Sequence, residues 1–356
     1  MQRPNLENVD PVIMAYIEFL ESKLPEAKAS GYTSRKNVIQ AEEAEARLSE
    51  PTLPSEPPTT INILTVSQDS IAKRTARHLY PRQHRGGMGI FDLDVPSPDV
   101  PAFLSAVDES DNTLVFTNQA KVYRLPANRI QDGEVRSKGT PLFDRDRVAI
   151  EAGEQPVAIL PERSSGYVAM VSAQGKVRCL RHHLFGEHMR PGSVFFNIKE
   201  TGPLVCACWT EGDNDLFIIT HKGMAIRFNE KTLNPQGDWG IKLASGDHVV
   251  AITPVYQDSL VFMVGSDGKG TIREMEGFAA NKSVGGSGKI AIKNDHVVSA
   301  FSVTPNDDLF LITRVGKIIR FKADEVPSTD GVVQGVICVN MRNDEVVGAT
   351  ASGLQY

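Results

Sequence analysis

Basic residues recur at fixed positions in this sequence, each shortly after a small residue that ends a polar turn. The small residues, at intervals of about 45 to 55, are Ser70, Ala120, Gly175, Gly223, Gly268 and Gly316. Four arginines lie four positions after them: Arg74, Arg124, Arg227 and Arg320. Other basic residues lie directly after them or at nearby positions: Lys73, Lys121, Lys176, Arg178, Lys269, Arg273 and Lys317. Ammonium and guanidinium groups at regular steps can bind the phosphates of a polyanion without reading its sequence.

The segment Gln83-His84-Arg85-Gly86-Gly87-Met88-Gly89 is a second candidate for anion binding. Successive glycines let backbone N–H groups approach a phosphate closely, and the guanidinium of Arg85 offers a forked donor to phosphate oxygens. A structural interpretation is also open, in which Gly86 and Gly87 only form a tight turn between neighbouring repeats. The repeated lysines and arginines likewise have an alternative role, which is to protect exposed edge strands from aggregation.

β-Hairpins must position these residues, because each small residue lies between two apolar strands. Representative copies span residues 114–124, 216–227 and 309–320. Glycine is expected at the end of such a turn, where the backbone needs a positive φ. The chain has 29 Gly and 21 Pro, which suits a turn-rich β protein. Six units of this length predict an all-β, six-bladed ring of the propeller type.

A further apolar strand precedes most of the hairpins at a constant distance. Val157, Val205, Val250 and Val298 all precede the small residue of their unit by the same number of positions, and Ala102 holds the same place in its own unit. The first hairpin lacks this strand, whereas the chain ends with an unaccompanied copy around Val347. We therefore expect the C-terminal strand, residues 346–350, to pair with the first hairpin strand, residues 61–66, and so to close the ring.

Residues 1–60 differ in composition from the repeats of residues 61–356. They contain 10 acidic and 6 basic residues, so −4 of the net charge of −6 lies there and −2 lies in the repeats. Asp10-Pro11 predicts the start of a helix that ends near Leu24, and residues 37–48 show a second helical pattern. The Pro-rich residues 51–58 predict a linker. The first helix is either a docking peptide for a partner or a cover for its own domain.

Composition indicates a cytoplasmic protein and gives no sign of an enzyme. The 356 residues include four cysteines, no apolar run of about 18 residues and no N-terminal export signal, so we expect reduced thiols. Cys179, His182, His183 and His188 match no standard metal site. No pair of carboxylates is placed for acid–base catalysis. We therefore predict no catalytic residues, no metal and no cofactor.

The first unit resembles the C-terminal domain of the A chain of bacterial DNA gyrase, which is related to the topoisomerase IV C-terminal domain. Lys73-Arg74-Thr75 is similar to the end of that family's first hairpin. Residues 83–89 are similar to its gyrase box, Gln-Arg-Arg-Gly-Gly-Lys-Gly, and residues 117–124 and 138–141 are similar to its second unit. The resemblance covers residues 61–356. It implies a stand-alone six-bladed β-pinwheel that wraps duplex DNA non-specifically around its outer rim.

The repeat pattern and the resemblance together give the expected DNA-binding residues. They are Lys73, Arg74, Arg85, Gly86, Gly87, Lys121, Arg124, Lys176, Arg178, Arg227, Lys269, Arg273, Lys317 and Arg320. The expected partners are duplex DNA and a separately encoded gyrase or topoisomerase core subunit, with no membrane. The expected location is the bacterial cytoplasm, at the nucleoid if DNA binding holds.

The sequence also departs from the family. His84 and Met88 replace basic residues of the box, and the repeats carry a net charge of −2. The segment upstream of residue 61 is too short to hold a breakage–reunion core, and no tyrosine of this chain follows an arginine as the catalytic tyrosine of that core does. We therefore expect DNA binding without strand cleavage. The alternative is a propeller-type protein-interaction scaffold that no longer wraps DNA.

Overall fold

The computed structural model describes residues 56–143, 150–256, 259–281 and 283–353. The chain divides into two units, Met1–Pro51 and Thr52–Tyr356, and the described residues all belong to the second. The two helices expected before residue 49 and most of the expected linker lie outside the described residues. Residues 56–59 enter the first strand without regular secondary structure.

Strands make up nearly all of the regular structure of the described residues. In chain order they are β1 (Ile61–Ser67), β2 (Ile71–Ala76), β3 (Ile90–Phe91), β4 (Leu93–Asp94), β5 (Pro101–Asp108), β6 (Asn112–Thr117), β7 (Lys121–Pro126), β8 (Ser137–Lys138), β9 (Thr140–Pro141), β10 (Pro156–Pro161), β11 (Tyr167–Ser172), β12 (Lys176–Arg181), β13 (Ser193–Val194), β14 (Leu204–Thr210), β15 (Asp215–Thr220), β16 (Met224–Asn229), β17 (Asp238–Trp239), β18 (Val249–Val255), β19 (Leu260–Gly265), β20 (Lys269–Glu274), β21 (Lys289–Ile290), β22 (Val297–Val303), β23 (Asp308–Thr313), β24 (Lys317–Lys322), β25 (Ser328–Thr329), β26 (Val336–Ile337) and β27 (Val346–Ala351). The helical segments of the described residues are five 3₁₀ turns, Arg77–Leu79, Ala127–Arg129, His182–Phe185, Glu230–Thr232 and Ala323–Glu325, and one short α-helix, Ile198–Thr201.

The strands form six blades, which confirms the predicted all-β, six-bladed ring. From the innermost strand outward they are blade 1 (β5-β1-β2-β9), blade 2 (β10-β6-β7-β13), blade 3 (β14-β11-β12-β17), blade 4 (β18-β15-β16-β21), blade 5 (β22-β19-β20-β25, with β26 also on β20) and blade 6 (β27-β23-β24-β3). Strands β4 and β8 form a separate parallel pair. Each blade therefore takes its central hairpin from one unit and its outer strand from another.

The predicted turns have the expected backbone geometry in all six units. The residues that end the turns have φ between 57° and 89°: Ser70, Ala120, Gly175, Gly223, Gly268 and Gly316. Glycine adopts this left-handed conformation without steric cost, which explains its use in four of the six units. The positive φ at the last residue of each three-residue loop lets the loop join strands that twist in the right-handed sense.

The expected pairing that closes the ring is wrong. β27 pairs with β23 of the last hairpin, and β1 pairs with β5, so neither hairpin lacks an inner strand. The strand found at a constant distance before each small residue belongs to the preceding hairpin, not to the following one. The hydrogen bonds that close the ring instead join β24 to β3, with Lys317 opposite Phe91. The last strand still lies beside blade 1, because Val347 packs against the apolar cluster that contains Ile63 and Phe310.

The core consists of apolar clusters at the contacts between neighbouring blades. Between blades 6 and 1, Ile63, Tyr80, Phe310 and Ile318 are buried together, and the rings of Tyr80 and Phe310 meet edge to face at 5.7 Å. The inner strands enclose a central cavity of about 620 Å³. The valines noted in the sequence line it: Val157, Val205, Val250, Val298 and Val347, with Ala102 in the sixth position. Among the described residues, no helix is both long and apolar enough to cross a membrane.

Candidate nucleic-acid interface

The repeated arginines occupy equivalent positions in their blades but do not form an exposed rim. Arg74, Arg124, Arg227 and Arg320 lie opposite Leu64, Leu114, Phe217 and Phe310 on the neighbouring strand. Their side chains are only 2% to 24% exposed, and each faces a carboxylate. The prediction that these arginines have equivalent orientations in the sheets is confirmed, whereas the prediction that they lie on the outer surface is wrong.

Three of these four arginines, all except Arg124, hold outer loops against the blades. We define an outer loop as the segment that leaves the last strand of a hairpin and supplies the outer strand of the preceding blade. In blade 6, Arg320 donates to the carbonyl oxygens of Arg77 and Tyr80 at 2.9 and 3.2 Å, in the outer loop that carries β3. In blade 4, Arg227 donates to the carbonyl oxygens of Met275 and Phe278 at 2.6 and 3.2 Å, in the loop that carries β21.

The same contact recurs in three more blades. Arg74 donates to the carbonyl oxygen of Ile130 at 3.2 Å, and Arg178 donates to that of Pro235 at 3.2 Å. Arg273, which is buried, donates to the carbonyl oxygen of Gly331. In each case the acceptor lies in the loop that supplies the outer strand of that arginine's own blade. An arginine of the second hairpin strand therefore holds the outer loop in place in five of the six blades, whereas in blade 2 Arg124 binds Glu162 instead.

Arg320 is the most enclosed member of this set. Its Nε donates to Asp308 at 3.0 Å, and its Nη2 also binds Asp308 and Glu56. Arg82 donates to the same Asp308 carboxylate at 3.0 and 3.1 Å. Burial alone would raise the pKa of Asp308, but the hydrogen bonds from Arg82 and Arg320 outweigh it and lower that pKa.

Lys73 is fully buried, so its expected contact with DNA is wrong. Its ammonium group lies 2.8 Å from the carboxylate of Asp92, which is also fully buried, and donates to the carbonyl oxygen of Glu134 at 2.8 Å. Tyr80 and Thr65 donate to the two oxygens of the same carboxylate at 3.0 and 2.8 Å. Burial lowers the pKa of Lys73, while the charge of Asp92 opposes that shift. An ammonium group in this network cannot reach a phosphate.

The lysines that directly follow the turns lie nearer the surface, beside carboxylates or aromatic rings. Lys121 binds Glu151 and Glu154 at 2.8 and 3.0 Å. Lys269 lies 3.5 Å from Asp267. The ammonium of Lys176 lies 5.6 Å from the centre of the Trp239 ring. Lys317 is half-buried at the edge of blade 6.

The Gly-rich segment is a junction between blades, and its expected phosphate cradle is wrong. The N–H of Gly86 donates to the carbonyl oxygen of Cys338 at 2.8 Å, and the N–H of Gly87 donates to that of His84 at 3.1 Å. The carbonyl oxygen of Gly87 accepts from Asn340 at 2.9 Å. Because both amides already have protein acceptors, the alternative of a tight turn describes this segment. Arg85 remains exposed, with its guanidinium 3.3 Å from the carbonyl oxygen of Ile337.

The outer loops carry exposed cations, and most of these were not selected from the sequence. They are Arg85, Arg129, Arg136, Lys138, Arg190, Lys231 and Lys289. Three of them, Arg129, Arg136 and Lys138, lie in the single outer loop that supplies β9 to blade 1. Because inner strands line the cavity, these loops form the outer edge of the ring. The exposed cations of the outer loops, rather than the strand arginines, are the candidate phosphate-binding groups.

The outer strands also expose apolar side chains that sequence reasoning missed. We call Val194, Trp239, Ile290 and Ile337 the apolar arc, since each ends the outer strand of one of blades 2 to 5 and is 46% to 57% exposed. A recurring Gly-x-apolar pattern would have located these strands: Gly192-Ser-Val194, Gly237-Asp-Trp239, Gly288-Lys-Ile290 and Gly335-Val-Ile337. The glycine permits close approach, since a Cβ at Gly237 would lie 2.6 Å from the carbonyl oxygen of Val177.

No group of histidine, cysteine and acidic side chains among the described residues is arranged to hold a metal ion. The four thiols are free, and burial raises the pKa of each one, that of Cys338 to about 12. These groups lie within the apolar contacts between blades, so they contribute to packing.

Comparison with known proteins shows that this chain is similar to the C-terminal domain of the DNA gyrase A subunit. A family model described as DNA gyrase C-terminal domain, beta-propeller, matches residues 62–96, 111–141, 214–255 and 307–351. The chain is 27% identical over 350 residues to the DNA gyrase A subunit of Staphylococcus epidermidis, strain ATCC 12228, a match that covers 94% of this chain and 38% of that protein. It is also 27% identical over 304 residues to the DNA gyrase A subunit of Staphylococcus aureus, strain NCTC 8325, a match that covers 81% of this chain and 34% of that protein. The chain thus spans little more than a third of the length of these relatives.

Two solved structures share the fold. A DNA gyrase A C-terminal domain superposes with a TM-score of 0.71 at 20% identity, covering 82% of this chain and 99% of that chain. The C-terminal domain of a DNA topoisomerase IV superposes with a TM-score of 0.59 at 18% identity, covering 83% of this chain and 94% of that chain.

Proposed function

Because its repeats belong to the DNA gyrase C-terminal β-propeller family, we propose that this chain binds duplex DNA without sequence specificity along the outer edge of its ring. The observation that supports this most directly is the set of exposed cations in the outer loops. Ammonium and guanidinium groups on a convex edge bind the phosphate backbone and favour its bending, and they need no contact with base edges.

The basic groups are concentrated on one part of the edge. The outer loop of residues 127–141 exposes Arg129, Arg136 and Lys138, and the next outer loop, residues 182–194, exposes Arg190. These two loops supply the outer strands of blades 1 and 2. We propose that DNA first binds at these neighbouring blades, where four exposed cations outnumber the three exposed carboxylates of the same loops, Asp132, Glu134 and Glu187.

The proposed activity is binding alone. Strand cleavage is assigned to a separate gyrase or topoisomerase core subunit, which is the proposed protein partner. The exposed apolar arc continues along blades 2 to 5 and gives the edge a further surface for contact.

A protein-interaction scaffold is the second candidate function, and two observations favour it. Lys121 and Lys269, two of the cations on the blade edges, are paired with carboxylates of this chain, which reduces the field they present to DNA. Four apolar side chains are exposed on consecutive blades. Exposed apolar residues are common at protein interfaces.

Two variants with equal change in charge test the DNA-binding proposal. The first replaces outer-loop cations: R129Q/R136Q/K138Q/R190Q. The second replaces exposed cations on or near the hairpin turns and in nearby connections: K222Q/K293Q/R314Q/R342Q. Binding to a labelled duplex is measured by fluorescence anisotropy over a salt series.

The outer-loop variant should bind at least about tenfold more weakly, and the slope of log K against log salt should become shallower by up to about 0.9 for each lost phosphate contact. The control variant should retain most of the affinity and the slope. Equal affinities for the two variants would contradict the assignment of the outer loops as the interface.

A further inference from the structure

The pairing of the strands places lysines beside most residues of the apolar arc. In three of its four blades the register places a lysine directly opposite the apolar residue: Lys121 opposite Val194, Lys176 opposite Trp239 and Lys269 opposite Ile337. In the fourth, Met224 lies opposite Ile290. Side chains directly opposite each other in an antiparallel pair project from the same face, with Cβ atoms about 5 Å apart. In blades 2, 3 and 5 the edge therefore presents an apolar group next to a lysine, and two of these lysines, Lys121 and Lys269, also pair with carboxylates.

The basic segment from the first unit joins the same surface. The guanidinium of Arg85 lies 3.3 Å from the carbonyl oxygen of Ile337, so it flanks the apolar arc at blade 5. At blade 3 the ammonium of Lys176 lies over the Trp239 ring, at 5.6 Å from its centre. Both contacts keep a positive charge at the border of an exposed apolar side chain.

A nucleic-acid strand has the complementary chemistry, because an anionic phosphate alternates with the apolar face of a deoxyribose along it. We propose that the side chains of the apolar arc contact the sugar faces of a duplex bent around blades 2 to 5, and that the neighbouring cations bind the flanking phosphates. This inference rests on the proposed DNA binding and adds to it a contribution from apolar burial.

The geometry of the edge favours DNA over a protein as the occupant. The four apolar residues end the outer strands of four consecutive blades, so they follow the convex outside of the ring. One globular protein could cover all four only with a concave surface as long as the arc, whereas a bent duplex follows a convex edge and repeats the same chemistry at every step. Lys176 beside Trp239 and Arg85 beside Ile337 supply positive charge that complements a polyanion.

Burial of the apolar arc against DNA should differ from phosphate contacts in its dependence on salt concentration. Phosphate contacts release counterions, so their contribution falls as salt concentration rises. Contact between apolar side chains and sugars releases water and no ions, so its loss should weaken binding equally at all salt concentrations. The two parts of the interface can therefore be distinguished in one titration series.

The two tryptophans of the chain provide an internal reporter. Trp239 is 46% exposed, whereas Trp209 is 2% exposed in the core of the ring. Acrylamide quenching of tryptophan fluorescence therefore reports mainly on Trp239, and W239F supplies the baseline. With saturating duplex in the wild-type protein, the quenching constant should fall by at least about half.

The second measurement removes the apolar groups and leaves every charge in place. The variant V194S/W239S/I290S/I337S should bind duplex about 10- to 100-fold more weakly, from the loss of partly exposed apolar area, with an unchanged slope of log K against log salt. A matched control is V194I/W239F/I290V/I337V, which changes the same four positions but keeps an apolar side chain at each. The control should bind as the wild type does.

The outcomes separate this inference from the proposed function. Duplex binding with unprotected Trp239 and full affinity in the serine variant would refute the role of the arc and leave DNA binding intact. Failure of the wild type to bind duplex at low salt would refute both. Protection of Trp239 by rising protein concentration without DNA would assign the arc to self-association and would also refute the inference.

Discussion

Replacement of Arg320 by methionine tests the structural role assigned to the repeated arginines. Methionine keeps the apolar length of the side chain but removes the guanidinium, which is 2% exposed and binds Asp308. It also removes the donors to the carbonyl oxygens of Arg77 and Tyr80, which fasten the outer loop that closes the ring. We expect this variant to be destabilised at the closure of the ring.

The magnitude follows from the burial of the pair. Removal of one partner of a buried ion pair costs about 3 to 5 kcal/mol, because an unpaired charge is left behind. Asp308 keeps Arg82 at 3.0 Å and Lys322 at 3.5 Å, so the lower end, about 3 kcal/mol, applies. The matched control is R124M, whose partner Glu162 lies 2.6 Å away, with the two side chains 24% and 22% exposed. A partly exposed pair of this kind contributes about 1 kcal/mol or less.

Urea unfolding monitored by tryptophan fluorescence at pH 7 gives the free energy of unfolding of each variant. The pKa of Asp308 is lowered in the folded protein, so the contribution of its ion pairs is complete above its ordinary value of 3.8 and is lost as the pH falls through the folded value. The difference between wild type and R320M should therefore be constant near neutrality and narrow in acid. Equal destabilisation by R320M and R124M would refute the assignment of the repeated arginines as fasteners of the outer loops.

Three further changes have defined outcomes. G89A should lower the free energy of unfolding in urea by about 3 kcal/mol, because its Cβ would lie 2.7 Å from a carbonyl oxygen of blade 6 at a φ of 69°. G153A, at a φ of 78° with open space around it, should lower that free energy by only about 1 kcal/mol, which is the conformational cost of a positive φ. The buried thiols, including Cys338 with a pKa of about 12, should resist Ellman's reagent at pH 8 until the protein unfolds; fast reaction of the native protein would contradict their burial. Burial and the adjacent Glu154 carboxylate raise the pKa of Tyr123 to about 12, so E154Q should lower that pKa in an ultraviolet titration, and an unchanged value would show that the contact is absent.

The hairpins and their number were predictable because the signal is local. A positive φ at the end of a three-residue hairpin loop favours a small residue at one position, and the spacing of Ser70, Ala120 and the four glycines reveals six units. The partner of each strand is not local. A strand at a constant distance before a turn can pair with the hairpin before it or after it, and only the packed ring decides between them.

The exposure of the arginines was not predictable from alternation along the strand. Alternation identifies which residues share a face, and it placed Arg74 and Arg320 correctly in equivalent positions. In a closed ring, however, both faces of the middle strands pack against neighbouring blades, so neither face is open to solvent. Lys73 was misplaced for the same reason, and its buried partner Asp92 lies in a different segment that no pattern connected to it.

The outer loops were the least predictable part of the candidate site. They contain little regular structure, and their cations follow no fixed spacing, so Arg129, Arg136 and Lys138 were not distinguished from other surface charges. The Gly-x-apolar pattern before the outer strands was available in the sequence but is very short. Its meaning depends on the close approach of the glycine to a neighbouring strand, which the fold reveals.

The salt dependence of duplex binding by the wild-type chain tests the central claim most directly. A labelled duplex of about 40 base pairs is titrated with the full chain at about 50 to 300 mM salt, and log K is plotted against log salt concentration. Contacts from the exposed outer-loop cations predict a linear plot with a slope of about −4 or steeper. No detectable binding at the lowest salt concentration, or a slope near zero, would contradict the claim that the outer edge of this ring binds the phosphate backbone.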